Sequence, residues 1–359
     1  MKKRILIIGF ICLGLILISY FILFQNNHSK KYNQDITIVP TLLDDVISDT
    51  AWCGSFQLVW NDMKNEVVKQ DIEFSPQEKM AKNLNKEEFN ENMISSKYYY
   101  KKYGLKSLEL KKEIEQGIKD KFNQTSDILN DFNWDQDNLN NENNMNVKRY
   151  FFYSMLYREF EYKYKFKKMG KSTFGKYKNI KYFGISKNAK SNVRSQLEIL
   201  FYNNSDDFAV SIATKDGDSV IFYKNPKGST FKGMYNNMIS ESKKYTGNHK
   251  FTSEDSFKAP FMEFDIKKEY IELANKPFIA FDGDTCIIEK AIQSISFKMD
   301  EAGGKIKSES AIDMTKTTSA IHEVSRNLDV NDVFTLFIKE KGKDIPYFAL
   351  KVEKIEKYQ

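Results

Sequence analysis

A chain of 359 residues, 41% of them hydrophobic, is long enough to bury a full core within one large domain. Its 55 Lys and Arg outnumber its 49 Asp and Glu by six, but Lys2, Lys3, Arg4, Lys30 and Lys31 supply five of that surplus, so the remainder is near neutral. That balance argues against a nucleic-acid-binding domain, which concentrates Lys and Arg in its folded part. Three histidines argue against a His-rich metal site, and no cofactor is expected.

Met1-Lys2-Lys3-Arg4 precedes twenty uncharged residues, Ile5 to Phe24, rich in Ile and Leu. At about 1.5 Å per residue a helix of that length crosses a bilayer. Ser19 to Gln25 offers no small-residue cleavage pattern, so the stretch reads as an uncleaved single-pass signal anchor. The positive-inside rule keeps residues 1–4 in the cytoplasm and sends the rest outside, with secretion after cleavage as the alternative. Cys12 lacks the small residues that precede a lipidated cysteine. Residues 25–45 read as a polar tether and 46–359 as the domain. Cys53 and Cys286 either pair or stay as free thiols, and their spacing does not choose.

The first part of the domain reads as helical. Asp49 or Thr50 caps a helix in which Trp52, Phe56, Val59, Trp60 and Met63 recur at spacings of three and four. Ser75-Pro76-Gln77-Glu78 combines a cap, a first-turn Pro and an acid, and opens a second helix. Leu108, Ile114, Ile118 and Phe122 form the apolar stripe of a third, from Ser107 to Phe122. Asp135 to Asn146 is too polar to pack and reads as a surface loop. It lacks the ligand alternation and closing Glu of an EF-hand, so no calcium site is assigned.

Beyond that loop the period falls to two. Phe160, Tyr162, Tyr164 and Phe166 alternate with Glu159, Glu161, Lys163 and Lys165. Strands follow at 177–185, 193–202, 208–213 and 219–223, with turns at Asn203–Asp206 and Lys215–Asp218. Phe231 to Tyr245 reads as a helix capped by Ser229 or Thr230, after which strands dominate. Helices first and strands later, without βαβ alternation, indicate the α+β class with mostly antiparallel sheets.

Two constellations offer catalytic chemistry. Phe278 to Cys286, an apolar run ending in Asp282-Gly283-Asp284, resembles the nucleophile strand of haloacid-dehalogenase-like phosphotransferases, which implies Asp282 as nucleophile and Asp284 as acid/base. Thr285 stands one place early for that family, and the alternative is a turn between strands. Cys53 with His249 or His322 would suit a cysteine hydrolase, but Trp52-Cys53-Gly54-Ser55-Phe56 is so apolar that its thiol reads as core packing. The aromatic runs Tyr98–Tyr100 and Tyr150–Tyr153 read as core on strands.

Ile292 to Met299 alternates as a strand and ends at Asp300-Glu301 and a Gly303-Gly304 break. A second alternation follows, with Gly304, Ile306, Ser308, Ser310, Ile312 and Met314 on one side and Lys305, Lys307, Glu309, Ala311 and Asp313 on the other. Asp300-Glu301-Ala302-Gly303 with the small residues after it resembles the hinge of the serpins, protease inhibitors whose exposed loop inserts into a sheet. Val333–Ile338 and Ile345–Val352 resemble that family's two closing strands. Phe257–Phe264 resembles the strand leading into its late core, and Arg149 to Phe166 its long central strand with the segment after it.

The resemblance implies a hinge at Glu301, Gly303, Gly304, Ile306 and Ser308. It implies a cleaved loop whose scissile bond lies near Lys316, Thr317 and Thr318 counting forward, or near His322 and Glu323 counting back from Phe334. Lys316, or Arg326 farther along, would suit a trypsin-like protease. The expectation is a membrane-tethered, extracytoplasmic serpin-like protein that recognises a protease or another protein, acting as a suicide-type inhibitor through the loop after Glu301. A non-inhibitory binding module is the alternative, favoured by the bulk of Ile306 at an inward position. A hydrolase or phosphotransferase using Asp282 and Asp284 comes third.

Overall fold

The computed structural model describes residues 32–33, 35–134, 149–304 and 325–359. In chain order, β1 (Thr37–Ile38) and β2 (Thr50–Cys53) lead into α1 (Ser55–Asp62), which continues as a wider π-helical turn, Met63–Val68. Next come α2 (Lys79–Leu84), β3 (Tyr99–Leu105) and α3 (Leu108–Phe122). Strands β4 (Tyr150–Leu156), β5 (Phe160–Glu161), β6 (Lys167–Phe174) and β7 (Tyr177–Ile185) precede a single turn, α4 (Ser191–Arg194). Then follow β8 (Leu197–Asn204), β9 (Asp207–Ala213), β10 (Ser219–Lys224) and α5 (Phe231–Lys244). The last part holds β11 (Ser256–Pro260), β12 (Met262–Glu269), β13 (Pro277–Ile279), β14 (Thr285–Ile287), β15 (Ile292–Met299) and β16 (Gly303–Gly304). It closes with β17 (Asn327–Asp329), β18 (Phe334–Lys339) and β19 (Phe348–Val352).

The most continuously apolar strands lie at the centre of the largest sheet, ordered β1-β2-β19-β18-β10-β9-β8. β10 and β18 are buried along almost their whole length, as expected of strands covered on both faces. On one face lies α5, whose Phe231, Met234, Tyr235 and Met238 form a buried stripe. Phe231 and Tyr235 both meet the edge of the Phe337 ring. Thr230 caps this helix by accepting the Gly233 N–H, and Ser107 caps α3 by accepting that of Leu110. A second sheet is ordered β17-β11-β7-β6. The pairs β1–β2 and β11–β17 are parallel and the remaining strand pairs antiparallel, in keeping with the α+β expectation.

Several local expectations give way to tertiary pairing. Thr50 to Cys53 is not helical: it is a strand against β19, with Trp52 opposite Ala349 and Cys53 opposite Phe348, and helix begins only after Gly54. The helix expected at Ser75 starts at Lys79. Gln77 is drawn off, its side chain accepting the Phe74 N–H and donating to the Ile72 carbonyl. The strand suggested by the aromatic run Tyr98–Tyr100 within this helical part is β3, which runs on to Leu105 and pairs with β4 along all seven residues. The alternation from Glu159 to Phe166 yields only the two-residue β5. The Gln196 side chain takes both the N–H and the carbonyl of Tyr164 and so interrupts the ladder, although Phe160, Tyr162 and Phe166 are buried as the pattern requires. The strand expected at 193–202 begins at Leu197, after α4.

The boundary between tether and domain also moves. Ile36, Ile38, Val39 and Leu42 are buried in the main core, so the packed structure begins well before residue 46. No helix of the described residues is long and apolar enough to cross a membrane; the segment 5–24 and the polar loop 135–146 lie outside those residues.

Candidate functional site

β4 pairs with β3 along one edge, and β15 pairs with β12 along one edge. Among the described residues neither pairs with a further strand on its other edge. Between them runs a cleft of about 1770 Å³, lined by Phe152, Ser154 and Leu156 from β4 and by Gln293, Ile295 and Phe297 from β15. Alternation assigns the faces: Phe151 and Tyr153 pack with Leu110, Ile114, Ile118 and Trp134 beneath α3, which turns Phe152, Ser154 and Leu156 the opposite way. Phe56 and Trp60 of α1 also border the cleft. Gln293, itself buried, donates to the Cys53 carbonyl (3.0 Å) and the Ser55 hydroxyl (3.2 Å) and accepts from the Tyr270 hydroxyl (2.7 Å). Ser154 has a buried hydroxyl without a partner among the described residues. Ser154→Ala should therefore be neutral or stabilising by up to ~1 kcal/mol, because no hydrogen bond is lost with the hydroxyl; denaturant unfolding reads this directly.

One end of the slot is closed by the Asp300–Gly304 turn, the segment at which the sequence leads one to expect a hinge. β15 turns over tightly, Asp300 donating to the Gly303 carbonyl (2.9 Å) and Gly303 returning a bond to that of Asp300 (3.3 Å). Gly303 and Gly304 then pair with Glu161 and Phe160, while Tyr162 and Phe166 donate their N–H groups to the carbonyls of Ala302 and Glu301. Both glycines are dictated by this approach. Gly303 has φ +135°, and a Cβ there would run into the Phe160 carbonyl and sit 2.8 Å from the Glu161 Cα. A Cβ on Gly304 would fall 2.9 Å from both the Lys298 carbonyl and the Phe160 ring. The Glu301 carboxylate lies 3.2 Å from Lys165 and 3.6 Å from Lys168. Burial alone would raise its pKa, but its own backbone N–H and those two ammoniums hold it below the ordinary glutamate value.

The opposite end is bridged by charge. Glu289, ahead of β15, lies 2.9 Å from Arg149 at the start of β4 and 3.8 Å from Lys106. Across the front passes the chain from Gln124 to Asn133: Gln124 donates to the Tyr157 hydroxyl, Phe132 meets the Phe151 ring edge-on, and Asp131 pairs with Lys267 of β12 (3.0 Å). Near β5, Arg158 lies 2.5 Å from Asp218, which also accepts the Tyr347 hydroxyl. Burial would lower the pKa of this guanidinium, and the carboxylate more than compensates.

Of the expected site residues, Glu301, Gly303 and Gly304 are thus brought together against 160–166. Ile306, Ser308, Lys316, Thr317, Thr318, His322 and Glu323 lie outside the described residues. Arg326 is corrected: it is 6% exposed and forked onto Asp255, with Nε and Nη2 at 3.0 and 2.8 Å, so it anchors the chain and is closed to a protease. Cys53 is a buried strand residue whose thiol is pushed up by burial, while His249 holds the Ile199 carbonyl and packs on Tyr245, so this pair assembles no hydrolase centre. Both Cys53 and Cys286 are free thiols. Asp282 and Asp284 are exposed on the turn joining β13 to β14, and the Asp282 carboxylate caps the Asp284 N–H. Among the described residues no group of His, Cys, Asp and Glu is placed to hold a metal. Sequence reasoning missed the slot itself; the aromatic run at 150–153 signalled burial, not an open edge.

No family model matches the chain, and no curated protein does. Solved structures do. Serpin48, a highly specific serpin of the insect Tenebrio molitor, matches at 13% identity over 71% of this chain and 75% of its own, with TM-score 0.40. Human thyroxine-binding globulin with its hormone bound matches at 10% identity over 72% and 76%, with TM-score 0.40. Serpin-12 of Manduca sexta matches at 11% identity over 67% and 64%, with TM-score 0.41. The chain is similar to serpins, in fold and not in residues, over about 70% of its length.

Proposed function

We propose that this chain is a serpin-like, strand-accepting protein that acts on another protein, most concretely as a suicide-type protease inhibitor held outside a membrane by residues 5–24. The observation that carries this reading is the slot between β4 and β15. Its volume of about 1770 Å³ exceeds the ~300–1,000 Å³ of ordinary small-molecule sites, and it is bordered by two strand edges that a further strand could satisfy with backbone hydrogen bonds.

The chain carries such a strand in its own sequence. Continuing the antiparallel register beyond Gly303 opposite Glu161 and Gly304 opposite Phe160 sets Ile306 against Arg158, Ser308 against Leu156 and Ser310 against Ser154. Ser308 and Ser310 are small enough for the core-facing side, and Ser310 would meet the unpartnered Ser154 hydroxyl. Lys305, Lys307 and Glu309 would fall on the other face. Cleavage near Lys316–Thr318 or His322–Glu323 would free this strand, and a protease still bonded to the cut end would be carried along with it.

Ile306 favours the second reading, a non-inhibitory extracytoplasmic binding module. Extending the register would set this β-branched side chain between Arg158, whose side chain is 4% exposed, and the half-buried Phe297, where added bulk slows insertion. Asp282 and Asp284, the basis of the third reading, lie exposed on the turn between β13 and β14.

The test is limited proteolysis of the detergent-solubilised chain within 313–324, followed by thermal unfolding of cut and uncut protein. Insertion adds several backbone hydrogen bonds at about 1 kcal/mol each, which at ~2–4 °C per kcal/mol predicts a rise of roughly 10 °C or more with both pieces still associated. An unchanged midpoint sinks the inhibitory mechanism and leaves the binding module.

A further inference from the structure

Charge is segregated in this chain in a way that the near-neutral balance beyond residue 31 conceals. From Tyr162 to Leu197 the sequence has ten lysines, one arginine and no acid. The fold sets most of them along one border. Lys163 approaches β6, Lys167 and Lys171 stand on β6, the outermost strand of its sheet, Lys176 and Lys178 flank the turn into β7, and Lys181 lies farther along β7. All six are exposed, and none has a carboxylate partner among the described residues. Lysine on an edge strand discourages pairing with other chains, but that purpose does not require clearing every acid from thirty-six consecutive residues.

Asn33 donates to the Lys357 carbonyl (3.1 Å), and Lys357 returns a bond to that of Asp35 (2.7 Å), so this end of the chain is fastened to the turn at Ile355–Tyr358. The same turn runs into Gln359, whose side-chain oxygen accepts the N–H of Lys181 on β7 (2.9 Å). Asn33 and Asp35 therefore lie beside the sheet that carries the basic border, and in sequence they follow the uncharged run Ile5 to Phe24 closely. Residues 25–31 can extend no more than about 25 Å, which keeps that sheet close to whatever holds residues 5–24.

We propose that the surface formed by β6 and the turn into β7 rests on the anionic phospholipid headgroups of the bilayer in which residues 5–24 are anchored. This rests on the anchor reading given above. Each lysine near such a surface adds to the attraction, which decays within a Debye length of about 8–10 Å and is screened by salt. Lys165 and Lys168, which hold Glu301, belong to the same run, so the bound surface adjoins the hinge.

The experiment reconstitutes the full chain into phosphatidylcholine vesicles, and into vesicles with phosphatidylserine at about 30%, an anionic surface that attracts lysine. Amine-reactive labelling read by peptide mass spectrometry then compares Lys163, Lys167, Lys171, Lys176 and Lys178 with Lys112 and Lys119, exposed on α3. The expected result is at least ~3-fold slower labelling of the first group in anionic vesicles alone, abolished by about 0.5 M salt. The variant carrying Lys163→Gln, Lys167→Gln, Lys171→Gln, Lys176→Gln and Lys178→Gln should show no lipid dependence at Lys165, Lys168 and Lys181 while unfolding at the parent's midpoint. Flotation after an alkaline wash reads the anchor separately. Retention in neutral vesicles with labelling indifferent to lipid charge keeps the anchor and overturns the surface proposal. Salt-sensitive protection by anionic vesicles without wash-resistant retention keeps the surface and overturns the anchor. Protection by heparin or duplex DNA but not by anionic vesicles also overturns the proposal.

Discussion

Arg326→Ala is expected to destabilise the chain by about 3–5 kcal/mol, the usual consequence of stranding one member of a buried ion pair. Asp255 is fully buried, and its carboxylate receives the Arg326 guanidinium as well as the Arg326 and Thr252 N–H groups. The same guanidinium donates to the carbonyls of Asn248 (2.5 Å) and Lys250 (2.9 Å), which lose their charged donor. Replacing both partners with apolar residues, Arg326→Met with Asp255→Leu, should recover much of the loss, because no charge is then left buried. A single-variant effect below ~1 kcal/mol would mean the pair contributes as little as a surface bridge.

The pH dependence of that pair has a definite sign. Burial pushes the Asp255 carboxyl up, but its bonds from Arg326 and Thr252 outweigh this and hold it below the ordinary aspartate value. Its stabilising contribution is therefore present above the unfolded value of about 3.9 and is lost as pH falls through the lower folded value. Asp49 behaves alike: burial opposes ionisation, and the backbone N–H groups of Lys354 and Glu353 with the Lys357 ammonium overcome it. The parent should lose stability below about pH 4. In Arg326→Ala, Asp255 keeps its burial without its cation, so acidification should cost that variant less than the parent; equilibrium unfolding between about pH 3 and 7 distinguishes the two slopes.

Gly303→Ala is the second large effect, about 2–4 kcal/mol, combining a left-handed φ with a Cβ driven into the Phe160 carbonyl. The Asp300–Gly304 turn should lift from 160–166, and the amides of Tyr162 and Phe166, which donate to the Ala302 and Glu301 carbonyls, should exchange faster with solvent. Ala302→Ser, at an exposed position in the same turn, should change stability by less than about 0.5 kcal/mol. Unaltered exchange at Tyr162 and Phe166 in Gly303→Ala would show that the glycine does not hold this segment in place.

Elements with a local cause could be read without the structure. The caps at Ser107 and Thr230, the stripes they open, the strands at Tyr177–Ile185, Ser219–Lys224 and Ile292–Met299, and the Asp300–Gly304 turn all follow from spacing or from a single cap or glycine. Of the slot's borders only the turn was legible, for the same reason: a tight turn ending in two glycines marks itself, whereas an empty strand edge leaves no trace in either strand that borders it. Trp52 sits at helical spacing from Phe56, yet β19 claims it as a strand residue from nearly 300 positions away. Arg326 looks like a loop cation until Asp255 is folded against it. The slot depends on which edges of β4 and β15 are filled by β3 and β12, and the basic border on a sheet that gathers lysines whose charge the whole composition cancels. Periodicity reports which face of an element is apolar; which partner covers that face, and which edge is left without one, is decided only when distant segments meet.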